Sequence, residues 1–205
     1  MPEIRGVLPI VHTPFGADDQ IDWESLEREI DWAFQSGADG CCTGMVSELL
    51  RLSDQERCEL TQRLPELVNG RGVVVASVGA EDVDQTVENA RQAEAAGCDA
   101  VMAIPPTGGD LSDQQTLAFY VALASSIEIP LIVQDASAYV GRAIDLQVYV
   151  QLLDQFGPER IFFKPEAMPL GTNLSRLRDV TERKARVFEG SGGISLIDSF
   201  RRGIA

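Results

Sequence analysis

The sequence predicts a parallel α/β fold of the TIM (β/α)8 barrel class, present as about seven strand–helix units. Three observations predict it: the spacing of short apolar runs, their composition, and the helix signals between them. The runs begin near Val7, Gly40, Val73, Ala100, Pro130, Arg160 and Arg186, at intervals of 33, 33, 27, 30, 30 and 26 residues. Each interval has room for one strand and one helix. Within the runs apolar residues follow one another without alternation, as in strands covered by helices on both faces. Regular alternation of strand and helix then leaves a doubly wound sheet or a barrel. No Gly-x-Gly-x-x-Gly follows the first run, which disfavours a dinucleotide-binding sheet and leaves the barrel.

Taken in order, residues 7–11 are the first expected strand. Asp22 opens a helix whose apolar stripe is Trp23, Leu26, Ile30, Ala33 and Phe34. Gly37, in Gly37-Ala38-Asp39-Gly40-Cys41, stands just past that helix, where a left-handed backbone is cheap for glycine, and the second strand follows at once. Ser53-Asp54-Gln55-Glu56 is a capping box, in which hydroxyl and carboxylate satisfy orphan amides at a helix start. The third strand covers 73–77. Gly97, in Gly97-Cys98-Asp99-Ala100-Val101, repeats the Gly37 arrangement sixty residues later, two units on, before a fourth strand at 100–104. Ser112-Asp113-Gln114-Gln115 is a second capping box. Strands at 131–133, at 161–163 and near Arg186 follow, with a last helix over roughly 193–202. An eighth strand would begin near Ile204. Such barrels usually take about 250 residues, against 205 here. The expectation is therefore one incomplete barrel domain over 1–205, lacking its last strand, with two unpaired sheet edges.

The composition is that of an ordinary globular chain, with 44% hydrophobic and 24% charged residues. Its 32 acidic against 17 basic residues give a net charge of -15. That field repels phosphate backbones and anionic lipid, so neither nucleic acid nor a membrane surface is an expected partner. No run approaches the ~18 apolar residues of a membrane span. Met1-Pro2-Glu3-Ile4-Arg5 has no signal-peptide character, and the chain reads as cytoplasmic. Cys41, Cys42, Cys58 and Cys98 match no zinc spacing, and on a strand Cys41 and Cys42 point to opposite faces. All four read as small buried hydrophobes. The single histidine, His12, reads as a hydrogen-bonded rim or core residue, and neither a metal nor a cofactor is expected.

Reactive groups of a parallel barrel sit where strands exit, at their C-terminal ends. The sixth run exits through Ile161-Phe162-Phe163-Lys164-Pro165-Glu166. Lys164 and Lys184 are the only lysines, and Lys184 lies in the solvated charge cluster Glu182-Arg183-Lys184-Ala185-Arg186. Lys164 instead follows a wholly apolar stretch. Desolvation favours the neutral amine, the form that attacks a carbonyl to give a Schiff base. The alternative is a lysine that snorkels to solvent or pairs with Glu166. The second run exits through Gly44-Met45-Val46-Ser47-Glu48, whose amides after Gly44 could cradle a carboxylate or simply turn the chain. The fifth exits through Gln134-Asp135-Ala136-Ser137-Ala138-Tyr139. Asp135 there is an acid–base candidate or a turn residue. The seventh exits through Glu189-Gly190-Ser191-Gly192-Gly193, a phosphate-binding helix start or a tight turn.

Thr13-Pro14-Phe15, Gly44-x-x-x-Glu48, Pro130, Gly141, Lys164 and Gly190 recur in this order across the chain. In these residues it resembles the dihydrodipicolinate synthase / N-acetylneuraminate lyase family, as a divergent member. The resemblance implies a class I aldolase barrel with C-terminal helices beyond this sequence, usually a homo-oligomer (tetramer or dimer). It implies that Lys164 forms a Schiff base with pyruvate or a related 2-oxo acid. Gly44 and the amides of Met45 and Val46 match the loop for the substrate carboxylate, with Glu48 closing the motif; Tyr139 and Gly190 complete the implied binding set.

The departures are as informative. Met45, Val46 and Ser47 replace two threonines and a glycine of the family's Gly-Thr-Thr-Gly-Glu. Gln134-Asp135-Ala136-Ser137 stands where the family has Tyr-Asn-x-Pro, Tyr139 where it has an arginine, and Pro106-Thr107 where it has an aromatic pair. Gln134 can orient a carbonyl or a water but cannot take a proton as a phenolate does. Such proton transfer is worth about 10² to 10⁴ in rate, so another carrier is required, and Asp135, Tyr139 and Glu166 are the candidates. The expected function is a lyase, synthase or dehydratase acting on a 2-oxo acid through Lys164, with Gln134 or Asp135 positioning the substrate, and not dihydrodipicolinate synthesis itself. A catalytically impaired member, binding a small acid or serving as a structural or regulatory partner, is the alternative. A phosphosugar enzyme built on residues 190–193 is a third reading.

Overall fold

A computed structural model of the chain describes residues 2–137 and 143–203. Its elements are α1 (Trp23–Gln35), β1 (Gly40–Cys42), a 3-10 turn (Met45–Ser47), α2 (Asp54–Val68), β2 (Val73–Ser77), α3 (Val83–Ala95), β3 (Ala100–Ala103), α4 (Asp113–Ser125), β4 (Leu131–Asp135), α5 (Leu146–Phe156), β5 (Ile161–Pro165), α6 (Leu170–Val180), β6 (Arg186–Val187) and α7 (Leu196–Arg201). Two units divide the chain: residues 1–78 with 88–102, and residues 79–87 with 103–205.

In the first unit β1 pairs parallel with β2, and β2 with β3. The expected starts are present. The Asp22 carboxylate accepts the Ser25 amide and opens α1, which buries Leu26, Ile30 and Ala33. Ser53 and Glu56 form the capping box of α2. Gly37 and Gly97 take φ of 92° and 90°, the left-handed backbone that ends their helices. The aspartate two residues after each glycine then makes a latch. Asp39 Oδ2 accepts the Val7 amide at 2.8 Å, and Asp99 Oδ2 accepts the Val74 amide at 2.8 Å. One short motif thus stops a helix and ties the start of a strand to an extended neighbour.

The first apolar run is not a strand, which corrects the expectation. Residues 7–11 lie extended beside β1, where the Asp39 amide donates to Val7 O at 2.9 Å, Cys42 to Pro9 O at 2.8 Å, and Val11 to Cys42 O at 2.9 Å. Only Ile10 and Cys42 form a bridge, because Pro9 has no N–H to continue a ladder. Six named strands therefore occur among the described residues, and the strand expected near Ile204 lies outside them.

In the second unit β4 pairs parallel with β5 over five residues, from Leu131↔Ile161 to Asp135↔Pro165, and β5 pairs with β6. Both long strands run two residues beyond the expected apolar stretches, through Gln134-Asp135 and Lys164-Pro165. Tyr120 of α4 is fully buried, its hydroxyl 3.1 Å from Ala103 O and 3.3 Å from Gln134 O. Ahead of β5, Arg160 Nη2 donates to Ala124 O and Ile127 O at 3.0 and 2.7 Å, capping the C-terminal end of α4. Ser112 and Gln115 form the second capping box. Among the described residues no helix is long and apolar enough to cross a membrane.

Cys41, Cys42 and Cys98 are buried, whereas Cys58 on α2 is half-buried, 3.3 Å from Gln62 Nε2; the fourth thiol is therefore not a core residue. Burial pushes the Cys41 and Cys98 thiols up to about 12. Thiolate is the reactive form, so at about pH 8 Cys58 should react with an aromatic disulfide reagent while the other three react only on unfolding. Counting released chromophore in native and denatured protein checks this. Asp99→Ala should lower stability by about 1–3 kcal/mol through the lost charge-assisted bond to Val74, measured as a shift in urea midpoint. Asp39→Ala, at a more exposed latch, should cost less.

Candidate active site

The residues with reactive chemistry converge in the second unit, where β4 and β5 end. The ladder places Gln134 directly beside Lys164. Side chains alternate along a strand, so Phe162, Lys164 and Glu166 share one face while Phe163 and Pro165 take the other. The Lys164 side chain is 15% exposed and that of Glu166 8%. Lys164 Nζ lies 3.3 Å from Glu166 Oε1, and buried Gln134 donates from Nε2 to the same oxygen at 3.1 Å. Gln134 Oε1 and Glu166 Oε2 are buried without a hydrogen-bond partner. Gly190 makes room for this cluster. A Cβ there would fall 2.7 Å from Glu166 Oε1 and 3.0 Å from Lys164 Cε.

Asp135 is not brought to Lys164. It points to the opposite face of β4, where its Oδ1 accepts the Ser137 amide at 3.0 Å, the geometry of a turn. On that side Tyr149 of α5 packs edge-on against Phe163, with ring centroids 5.1 Å apart. Burial, then the nearby Asp135 charge, pushes the Tyr149 phenol well above the usual tyrosine range. A cleft of about 300 Å³ lies here, lined by Asp135, Tyr149, Asn173 and Arg176 among others. Tyr139 lies outside the described residues. Glu166, which the sequence offered both as a pairing partner of Lys164 and as one of three proton carriers, is the carboxylate the fold brings to the lysine.

In the first unit Gly44 follows β1 in extended conformation, and a Cβ there would press on the Ile10 side chain at 3.1 Å. Ser47, where the family has glycine, is a staple. Its hydroxyl accepts the Gly44 amide at 3.0 Å and donates to Val11 O. Thr13 Oγ1 donates to Ser47 O at 2.7 Å, and Thr43 Oγ1 accepts the Ser77 amide at 2.8 Å. These hydroxyls bind backbone and not one another in a relay. The Met45 and Val46 amides open the 3-10 turn, where a helical start leaves donors without intrahelical acceptors. Glu48 adopts φ of 60° and pairs with Arg51 at 3.2 Å on the surface. His12 is exposed, its Nδ1 2.8 Å from Glu29 Oε1, and Lys184 pairs with Glu182 at 2.8 Å in solvent.

The glycine-rich turn of the second unit takes left-handed backbone at Gly192 and Gly193. The Ser191 amide donates to Glu189 Oε1 at 2.9 Å, and that of Ser195 to Ser191 Oγ at 2.8 Å. A carboxylate and a hydroxyl already occupy amides that a phosphate would need.

The sequence pattern of the Dihydrodipicolinate synthetase family matches residues 3–188. The chain belongs to this family. Among its relatives, L-2-keto-3-deoxyarabonate dehydratase of Azospirillum brasilense is 33% identical over 141 residues, 67% of this chain and 46% of its own. A dihydrodipicolinate synthase crystal structure matches with a TM-score of 0.88 at 25% identity, covering 98% of this chain and 68% of that one. The family protein YagE of E. coli K12, solved in complex with pyruvate, matches at 0.87 and 21% identity over 98% of this chain and 68% of its own. The chain spans about half to two thirds of the length of the curated relatives it matches. These likenesses show the fold, α/β of the (β/α)8-barrel class that the spacing predicted.

The contact of Gly190 with Glu166 has a measurable consequence for this family member. Gly190→Ala should cost about 1–3 kcal/mol as overpacking. The cycle with Glu166→Ala should show a favourable coupling of about 1 kcal/mol or more, because the second change removes the clash. Additive effects on the urea midpoint would mean that the two residues do not meet.

Proposed function

We propose that the protein is a Schiff-base enzyme of its family, a carbon–carbon lyase or dehydratase acting on pyruvate or a related 2-oxo acid through Lys164. The observation that carries this reading is the state of Lys164. It ends an apolar strand, largely withdrawn from water, within 3.3 Å of a buried carboxylate. A snorkelling lysine would extend its ammonium into solvent; the pairing with Glu166 is present, and the unpartnered oxygens of Gln134 and Glu166 beside it favour a site over a plain ion pair. Attack of Nζ on the carbonyl carbon and loss of water give an imine, an electron sink for the carbanion left when a bond to the adjacent carbon breaks. Gly44 with the Met45 and Val46 amides is assigned to the substrate carboxylate, and Gln134, through its unpartnered Oε1, to a substrate hydroxyl. Tyr139 and Gly190 keep their binding-set places, while Asp135, turned to the other face, has none in the chemistry. A cytoplasmic homo-oligomer, tetramer or dimer, belongs to the same proposal.

Dehydration is the favoured branch. A synthase must protonate the oxygen of an incoming carbonyl partner, the task of the hydroxyl relay that Gln134 and Pro106-Thr107 interrupt. A dehydratase has no such partner, and the relative at 33% identity is named as one. The small-acid-binding reading draws on the same lost relay. The phosphosugar reading is weakened by the occupied amides of the 190–193 turn.

Borohydride reduction in the presence of pyruvate, followed by peptide mapping, should fix a reduced adduct on Lys164. Lys164→Ala should give none. Absence of an adduct with pyruvate and with a panel of longer 2-oxo acids would transfer the assignment to the non-catalytic small-acid binder.

A further inference from the structure

Resting on the Lys164 imine, we infer that Glu166 is the catalytic proton carrier at C3 of the bound 2-oxo acid, the task that Gln134 cannot perform. Three features of the cluster lead there. Glu166 Oε1 is doubly engaged, by Lys164 Nζ at 3.3 Å and Gln134 Nε2 at 3.1 Å, which fixes the carboxylate in place. Its Oε2 is buried and has no hydrogen-bond partner. A carboxylate retained only as a counter-ion normally has both oxygens satisfied when buried, since an unsatisfied charged acceptor is costly. Finally, Gly190 has no side chain, and any Cβ would displace the carboxylate from this position.

The place of the carboxylate determines which proton it serves. In the imine protonated on Nζ, the iminium, C3 is two bonds from Nζ, so a base held beside Nζ is within reach of the C3 hydrogens. An oxygen on C4 lies further along the chain. Glu166 Oε2 takes the C3 proton; the C3–H electron pair becomes the C2=C3 bond, and the C2=N pair returns to nitrogen. The products are a neutral enamine and a neutral carboxylic acid. When C4 carries a hydroxyl, the enamine expels it as the carboxylic acid hands over its proton, releasing water and restoring the iminium and the carboxylate. One carboxyl thus acts as base and then as acid, with no added reactant. Gln134 is a positioning residue that holds Oε1 and leaves Oε2 for the proton.

The test uses pyruvate, whose methyl carbon is C3, in D₂O. Proton NMR should show the methyl signal lost to deuterium exchange catalysed by the wild-type protein. Glu166→Gln, nearly isosteric, should slow this exchange about 10² to 10⁴-fold, the usual worth of a general base. Borohydride trapping at Lys164 should persist in the same variant. Glu166→Asp, a carboxylate set back by one methylene, should recover part of the exchange. Equal loss of trapping and exchange would mean that Glu166 only tunes the amine, and exchange unchanged in Glu166→Gln would equally overturn the assignment. Failure of trapping in the wild type would instead remove the imine reading beneath it, so the two failures are distinguishable.

Discussion

Because β4 and β5 pair in register from Leu131↔Ile161 to Asp135↔Pro165, neither strand can slip by one residue without exchanging the faces of every side chain it carries. The apolar part of the ladder holds that register. Leu131, Ile132, Val133, Ile161, Phe162 and Phe163 are all buried, and a side chain of that size is worth about 1.5–3 kcal/mol when removed from water. A slip of one residue in β5 would carry Lys164 to the face where Phe163 packs on Tyr149, and would separate it from Gln134. The apolar half of each strand thus fixes the polar half that follows it. The site is the tail of a ladder whose stability is set elsewhere.

The polar tail is not explained by stability. Two buried charges keep a large desolvation cost unless their remaining lone pairs are satisfied, and apolar replacement of such pairs is often neutral or stabilising by about 1–4 kcal/mol. Here Glu166 Oε2 and Gln134 Oε1 are both left over. Their side chains belong to neighbouring strand ends, on the face that carries the lysine. The opposite face of the same strands carries no lysine. Asp135 closes a turn, Tyr149 and Phe163 pack edge to face, and Tyr120 reaches backbone carbonyls. Both faces thus keep an unpartnered buried oxygen, that of Tyr149 on one and those of Gln134 and Glu166 on the other, but only the second set lies beside an amine.

What could be read in the sequence was mostly local. The capping boxes at Ser53 and Ser112, the Asp22 cap and the left-handed Gly37 and Gly97 depend on residues within a turn of one another, and each is in place. The period of the apolar runs is also a one-dimensional signal, and it carries the fold class. The first run failed as a strand because Pro9 removes a donor, a defect that an apolar count ignores. Which of Asp135 and Glu166 stands beside Lys164 depends on pairing across thirty residues. Period two alone puts Lys164 and Glu166 on one face, but only the register with β4 puts Gln134 there and Asp135 on the other. Ser47 shows the reverse limit. In sequence it is a hydroxyl in a motif that uses hydroxyls; in the fold its hydroxyl is committed to Gly44 and Val11.

On the proposed Schiff-base reading, the exchange of a phenol for an amide at position 134 is a change in where a proton is handled, not simply a loss. A relay of hydroxyls moves a proton between points several ångströms apart, as required when one reactant is an imine on lysine and the other an aldehyde approaching from outside. A carboxylate held beside Nζ reaches only atoms near the imine carbon, but it can accept and return a proton there without help. Elimination across neighbouring carbons needs no longer reach than this. The amide of Gln134 contributes by what it does not do: it holds Glu166 Oε1 and offers no competing proton. Gly190 contributes by absence too, leaving the volume that the carboxylate occupies. A chain that lost its relay by drift has no reason to set a carboxylate, a donor amide and a missing side chain around the same lysine. Their convergence is what makes dehydration the more economical account of these residues.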